Sequence, residues 1–119
     1  MDEAEAVKWY RKAADQGRAR AQFLLGGMYA SGGGVTKDEV EAVKWFRKAA
    51  DQGHAGAQSI LGVMYANGQG TAKDEAEALK WYRTSAAQGE GGAQFNLGCM
   101  YLNGRGVTKD EAEGVKWVR

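Results

Sequence analysis

The sequence predicts an all-α solenoid, a stack of 36-residue helix-turn-helix repeats with seven helices in a single domain of 119 residues. Three observations predict it. Every tryptophan stands 36 residues from the next, at Trp9, Trp45, Trp81 and Trp117, inside variants of one phrase, EAVKWYRKAADQG. A fixed period in that range marks units too small to bury their own apolar face, which stack on neighbours instead. Three further segments, Ala21 to Tyr29, Ala57 to Tyr65 and Ala93 to Tyr101, share the order Ala, Gln, two variable residues, Leu, Gly, one variable residue, Met, Tyr. Between these phrases the turns are written with glycine, and the chain has 18 glycines and no proline.

Taken in order, residues 2–17 read as a lone helix of the tryptophan type, called B. Residues 18–53 and 54–89 read as two full repeats, and residues 90–119 as a third that is shorter. Each repeat opens with an A helix. At about 100° per residue, the positions shared by the copies (21, 22, 25, 26, 28 and 29 in the first) fall on one arc and the varying ones on the other. Gly26, Gly62 and Gly98 each cost about 1 kcal/mol of helix propensity relative to alanine, so their recurrence predicts close approach of a neighbouring helix.

The B helices follow at Lys37 to Gln52, Lys73 to Gln88 and Lys109 to Arg119, with the lone one at Asp2 to Gln16. Apolar positions 42, 43, 45, 46, 49 and 50 make one face, which places the tryptophans in the core; Glu41, Lys44, Arg47 and Lys48 make the other. Thr36 with Glu39 and Thr108 with Glu111 predict capping boxes, and Val35 with Val40 a hydrophobic staple. Ala72 at the matching place predicts a start weaker by about 1 kcal/mol unless Thr71 substitutes. Gly17, Gly53 and Gly89 stop the B helices in a left-handed conformation.

The charge pattern excludes several functions. Sixteen basic and fifteen acidic residues leave a formal charge of +1 with both signs interleaved, so neither nucleic acid nor a membrane surface is an expected partner. No apolar run is long enough to span a bilayer, and no basic-then-apolar leader opens the sequence. Cys99 is the only cysteine, which precludes an intrachain disulfide and leaves the compartment open.

No catalytic, cofactor or metal constellation emerges. The turns Gly32 to Lys37, Gly68 to Lys73 and Gly104 to Lys109 place glycines before a helix, but match neither the P-loop nor the dinucleotide fingerprint, and read as connectors. His54 is the only histidine and sits in a turn, so neither a histidine-based triad nor a multi-histidine metal site can be assembled. Ser31, Ser59 and Ser85 lack a lysine three residues on. Cys99 occupies a place held by Gly27 and Val63 in the other repeats, which suits a small apolar role. Glu41 with Lys44 and Glu77 with Lys80 read as helix-surface ion pairs.

The Leu-Gly-x-x-Tyr of the A helices resembles part of the tetratricopeptide pattern, but that repeat is 34 residues long. The longer period, the Gly-x-Gly-Val turns at Gly32 to Val35 and Gly104 to Val107 (Gly-x-Gly-Thr at Gly68 to Thr71), the Lys-Asp that opens the B helices of the three repeats and the Lys-Trp-Tyr/Phe-Arg core are similar to the Sel-one-like repeat family over residues 2–119. The resemblance implies a right-handed superhelix with A helices on its concave side, acting as an adaptor or scaffold for other proteins. A cysteine-rich branch of that family is linked to penicillin binding; Gly27 and Val63 at the places matching Cys99 set this chain apart from it.

The varying arc of the A helices carries the functional expectation. It holds Arg20, Phe23, Leu24 and Gly27, then Ser59, Ile60 and Val63, then Phe95, Asn96, Cys99 and Leu102, with no acidic residue. Leu24 and Ile60 read equally well as packing between A helices or as groove. Phe23 and Phe95, matched by Ser59, read as anchors outside the core. A strip of this kind suits a peptide or a partner helix, with Arg20, Phe23, Leu24, Ile60, Val63, Phe95, Asn96 and Cys99 as contacts. The chain is expected to be an interaction module and no enzyme; a β-lactam hydrolase and a self-assembling repeat fragment are the rival readings. The fragment reading rests on the unfinished repeats at both ends. Because Asp2 to Gln16 and Lys109 to Arg119 are sequence copies, self-association is also expected, either by one molecule's first helix taking the slot of another's last or by abutment of the bare ends.

Overall fold

The computed structural model describes residues 2–118 and contains, among them, seven helices and no strand. They are α1 (Glu3–Asp15), α2 (Ala19–Ser31), α3 (Glu39–Asp51), α4 (Ala55–Asn67), α5 (Glu75–Ala87), α6 (Gly91–Asn103) and α7 (Glu111–Val118). α2, α4 and α6 are the A helices, and each packs on the B helix before it and the one after it. The result is an all-α solenoid with extents of 48 × 25 × 20 Å.

Glycine sets the spacing. A Cβ on Gly26 would lie 2.8 Å from the Phe46 ring, and one on Gly62 would lie 2.6 Å from the Tyr82 ring, so an aromatic from the following B helix fills each notch. Gly34, Gly70 and Gly106 take positive φ, and a side chain on any of them would run into the carbonyl of Glu3, Glu39 or Glu75 respectively. Each A-to-B turn therefore rests on the start of the preceding B helix. The glycine turns are clasps between repeats.

Two expectations about helix starts fail. The threonines do not cap. Asp38 and Asp74 are the N-caps, with side chains accepting from Glu41 N at 3.1 Å and Glu77 N at 3.0 Å. Asp2 does the same for Glu5 N, and Asp110 for Glu113 N at 3.0 Å. The helices begin two residues later than the capping-box reading places them, because an aspartate three residues before a free amide is itself a strong cap. Ala72 therefore weakens nothing. Val40 is exposed, so no staple forms, whereas Val35 packs against the first core cluster.

The ends of the B helices follow the sequence reading. Gly17 has φ +86°, its N–H bonds Ala14 O at 2.9 Å, and the Arg18 N–H reaches back to Ala13 O at 3.3 Å, a Schellman closure. The same pair of bonds recurs at Gly53 and Gly89.

The tryptophans divide by position. Trp45 and Trp81 are 5% and 8% exposed, whereas Trp9 is 51% exposed and Trp117 partly buried. Trp45 sits among Val7, Ala14, Ala21 and Leu25, and Trp81 among Ala42, Ala50, Ala57 and Leu61. Each buried indole thus packs on the helix pair one repeat earlier. The pairs Glu41–Lys44 and Glu77–Lys80 do not close; among the described residues the ion pairs are Arg105–Glu75 at 3.1 Å and Lys109–Glu111 at 3.4 Å.

Polar groups also join the repeats. Buried Gln22 donates to Ala14 O at 3.3 Å and accepts from Gln52 Nε2 at 2.7 Å. Gln58 donates to Ala50 O at 3.1 Å and accepts from Gln88 Nε2 at 2.8 Å. These glutamines add a second bond to last-turn carbonyls of a B helix that already accept from the N–H of the glycine after it. Arg11, Arg47 and Arg83 lie over the rings of Tyr29, Tyr65 and Tyr101, and Arg11 and Arg83 also donate to the phenol oxygens.

Candidate functional site: the variable strip of the A helices

The structure separates the expected contacts into three settings. Phe95 is 57% exposed, and Arg20 and Ile60 are exposed as well. Leu24 is half-buried. Phe23 departs from the anchor reading. Its ring stacks on the His54 imidazole at 4.6 Å and lies 5.8 Å from the Phe46 ring, so it packs against the central cluster. Gly56 leaves room for this: a Cβ there would lie 3.2 Å from the imidazole and 3.6 Å from the Phe23 ring.

His54 has a second task that its turn position did not reveal. Its Nδ1 accepts from Ala57 N at 3.0 Å and caps α4. Glu90 performs the corresponding task for α6, accepting from Gly92 N and Ala93 N, while Arg18 gives α2 no side-chain cap.

The third setting is a cleft of about 240 Å³ to which α4, α5 and α6 contribute. Here the structure brings Val63, Asn96 and Cys99 together. Sequence reasoning missed the rest of the lining: Asn67 and Asn103, the Tyr82 side chain, and the Glu75–Arg105 ion pair. Comparing repeats position by position could have found them. Tyr82 stands where the first repeat has Phe46, and Asn96 and Arg105 stand where the second has Ile60 and Gln69, so polarity concentrates in this one place.

The cleft offers uncharged donors and acceptors beside one neutralised ion pair. Burial pushes the Tyr82 phenol up to about 12, which keeps it protonated at ordinary pH. Cys99 is a free thiol, half-buried. Among the described residues there is no cluster of three or more His, Cys, Asp or Glu able to hold a metal ion. No described helix is long and apolar enough to cross a membrane.

Sel1 repeats match residues 2–17, 19–54, 55–90 and 92–119. The chain belongs to the Sel1 repeat family. A solved Sel1 repeat protein from Oxalobacter formigenes is 46% identical and superposes with a TM-score of 0.93, the match covering 98% of this chain and 48% of that one. A protective antigen of uropathogenic Escherichia coli with an SLR fold is 43% identical with a TM-score of 0.96, covering 98% of this chain and 25% of that one. The chain thus spans a quarter to a half of these two relatives. Helicobacter pylori cysteine-rich protein B shares the fold, with a TM-score of 0.72 at 22% identity over 95% of this chain and 80% of that one. No curated protein sequence matches. Sel1 repeats commonly mediate protein–protein interaction, and Sel1-repeat scaffolds are generally non-enzymatic.

Proposed function

We propose that this Sel1 repeat domain is a protein-binding module, and that its partner, a peptide or a helix, lies along the varying strip of the A helices. The observation that carries this reading is the exposed Phe95 ring on an arc that lacks any acidic residue. A large aromatic left in water on a strip free of acidic charge is what an interface anchor looks like before its partner arrives. Ile60 extends the apolar footing along the strip, Arg20 supplies a charge at one end, and Leu24, Val63, Asn96 and Cys99 border it. Phe23 supports the strip from below through His54 and Phe46.

The test uses synthetic peptides selected from a random display library against the intact chain. Changing Phe95 and Ile60 together to serine is expected to leave helicity intact and weaken capture by about 2 kcal/mol, the scale of losing interface anchors. Undiminished capture by this folded variant would move the site to the charged B-helix face.

A further inference from the structure

In an array of near copies, every A helix presents the same kind of seat, and a B helix from the wrong repeat or the wrong molecule is a natural competitor for it. The third seat differs from the other two. The residues at three equivalent places are Ala30, Ala42 and Phe46 at the first junction, Ala66, Ala78 and Tyr82 at the second, and Leu102, Gly114 and Val118 at the third. The three departures belong together. A Cβ added to Gly114 would lie 2.5 Å from Leu102 Cγ and 2.9 Å from Gly98 O. A Cβ added to Gly98 would in turn lie 2.5 Å from the Val118 side chain and 2.9 Å from Gly114 O. Two glycines face each other here. Leu102 takes the volume that alanine takes elsewhere, and Val118 replaces an aromatic ring.

We propose that Leu102, Gly114 and Val118 form a register lock: the α6 face is an interaction surface that fits a B helix carrying glycine and, four residues later, a small side chain. The partner it fits is α7, its own or that of a second copy. The partner it rejects is α1. That helix carries Ala6 and Tyr10 at the matching places, so its methyl group would meet Leu102 and the Gly98 carbonyl, and its ring would replace Val118 between backbones already in contact. The exchange expected from the sequence likeness of α1 and α7 is therefore opposed by this packing. The distinction has a consequence for assembly. Insertion of α1 into another molecule's third seat is heterologous and does not close, which leads to chains of unlimited length; reciprocal exchange of α7 closes as a two-fold pair. The lock blocks the first route and leaves the second.

The experiment compares the full chain with a variant whose third seat copies the second: Leu102→Ala, Gly114→Ala and Val118→Tyr together. Sedimentation velocity over a hundredfold concentration range is expected to show no species beyond a dimer for the original chain. For the triple variant it should show a mass that climbs several-fold with concentration. Changing Ala6 to leucine in that variant, which again obstructs α1, is expected to abolish the climb. Alongside, Gly114→Ala and Leu102→Ala alone should each lower the melting temperature, and the two together should recover at least half of the summed loss. Strictly additive losses would overturn the proposal, as would a triple variant that is unfolded or no more associating than the original. So would an original chain that itself grows without limit.

Discussion

Phe23 and Phe95 hold the same place in their repeats, yet one is wedged between two rings and the other stands in water. For Phe23 the wedge comes from elsewhere in the chain: His54 from the next turn and Phe46 from the following B helix. The B-helix position that holds Phe46 after α2 holds Val118 after α6, so no ring stands there for Phe95 to pack on. In a repeat protein the same letter in the same frame can be scaffold or surface, and the neighbouring repeat decides which. A phenylalanine can be assigned to a groove only after the residues one repeat away have been placed.

The comparison can be broken most severely by removing the shared seat. Phe46→Ala empties a fully buried site that also fills the notch at Gly26, and is expected to cost about 3–5 kcal/mol in denaturant melts. A cost below about 1 kcal/mol would mean that the ring is not the keystone of the first repeat. The second repeat offers a sharper version, because Tyr82 occupies the same seat with a hydroxyl. Its pKa is raised to about 12 by burial, so the folded state holds the proton more tightly than the unfolded state does. The linked stability is complete below pH 10 and is lost as the pH rises towards 12, by about 2 kcal/mol. Tyr82→Phe should flatten that part of the stability profile, and an unchanged alkaline loss in the variant would refute the assignment.

Smaller effects separate the two phenylalanines directly. Phe23→Ser should cost about 1–2 kcal/mol of unfolding free energy, since it strips a half-buried ring from the central cluster. His54→Ala should cost about 1 kcal/mol by removing the cap of α4, with His54→Asn restoring most of it; failure of asparagine to rescue would show that stacking outweighs capping. Phe95→Ser is expected to change stability by less than about 0.5 kcal/mol, as exposed positions do. Equal losses for Phe23→Ser and Phe95→Ser would erase the contrast.

Much of this was legible in the sequence because it is periodic. The 36-residue spacing, the A-helix arcs and the interior place of Trp45 and Trp81 follow from patterns that repeat whatever the neighbours do. The helix starts were misread because threonine and aspartate compete for the cap within two residues, and only the backbone shows that Asp38 and Asp74 take it. The support beneath Phe23 was hidden because His54 lies 31 positions away and looks like a solvated turn residue until the turn is folded onto α2. The cleft was half visible. Val63, Asn96 and Cys99 belong to the varying arc, but Tyr82 belongs to a B helix, and no arc drawn on one helix can show a pocket lined by three.

The glutamine chain has a bearing on how such proteins change length over evolutionary time. Gln22 and Gln58 each bond backward to the preceding B helix and receive a bond from the glutamine that ends the following one. Every unit therefore brings one half of the junction on either side of it. Unequal recombination that inserts or deletes a whole 36-residue block, cut at the glycine after a B helix, leaves each new junction with a complete set of bonds and no new contact to invent. Point mutation must search for compatible neighbours, whereas block duplication inherits them, so gain and loss of whole units is the change this architecture tolerates most readily.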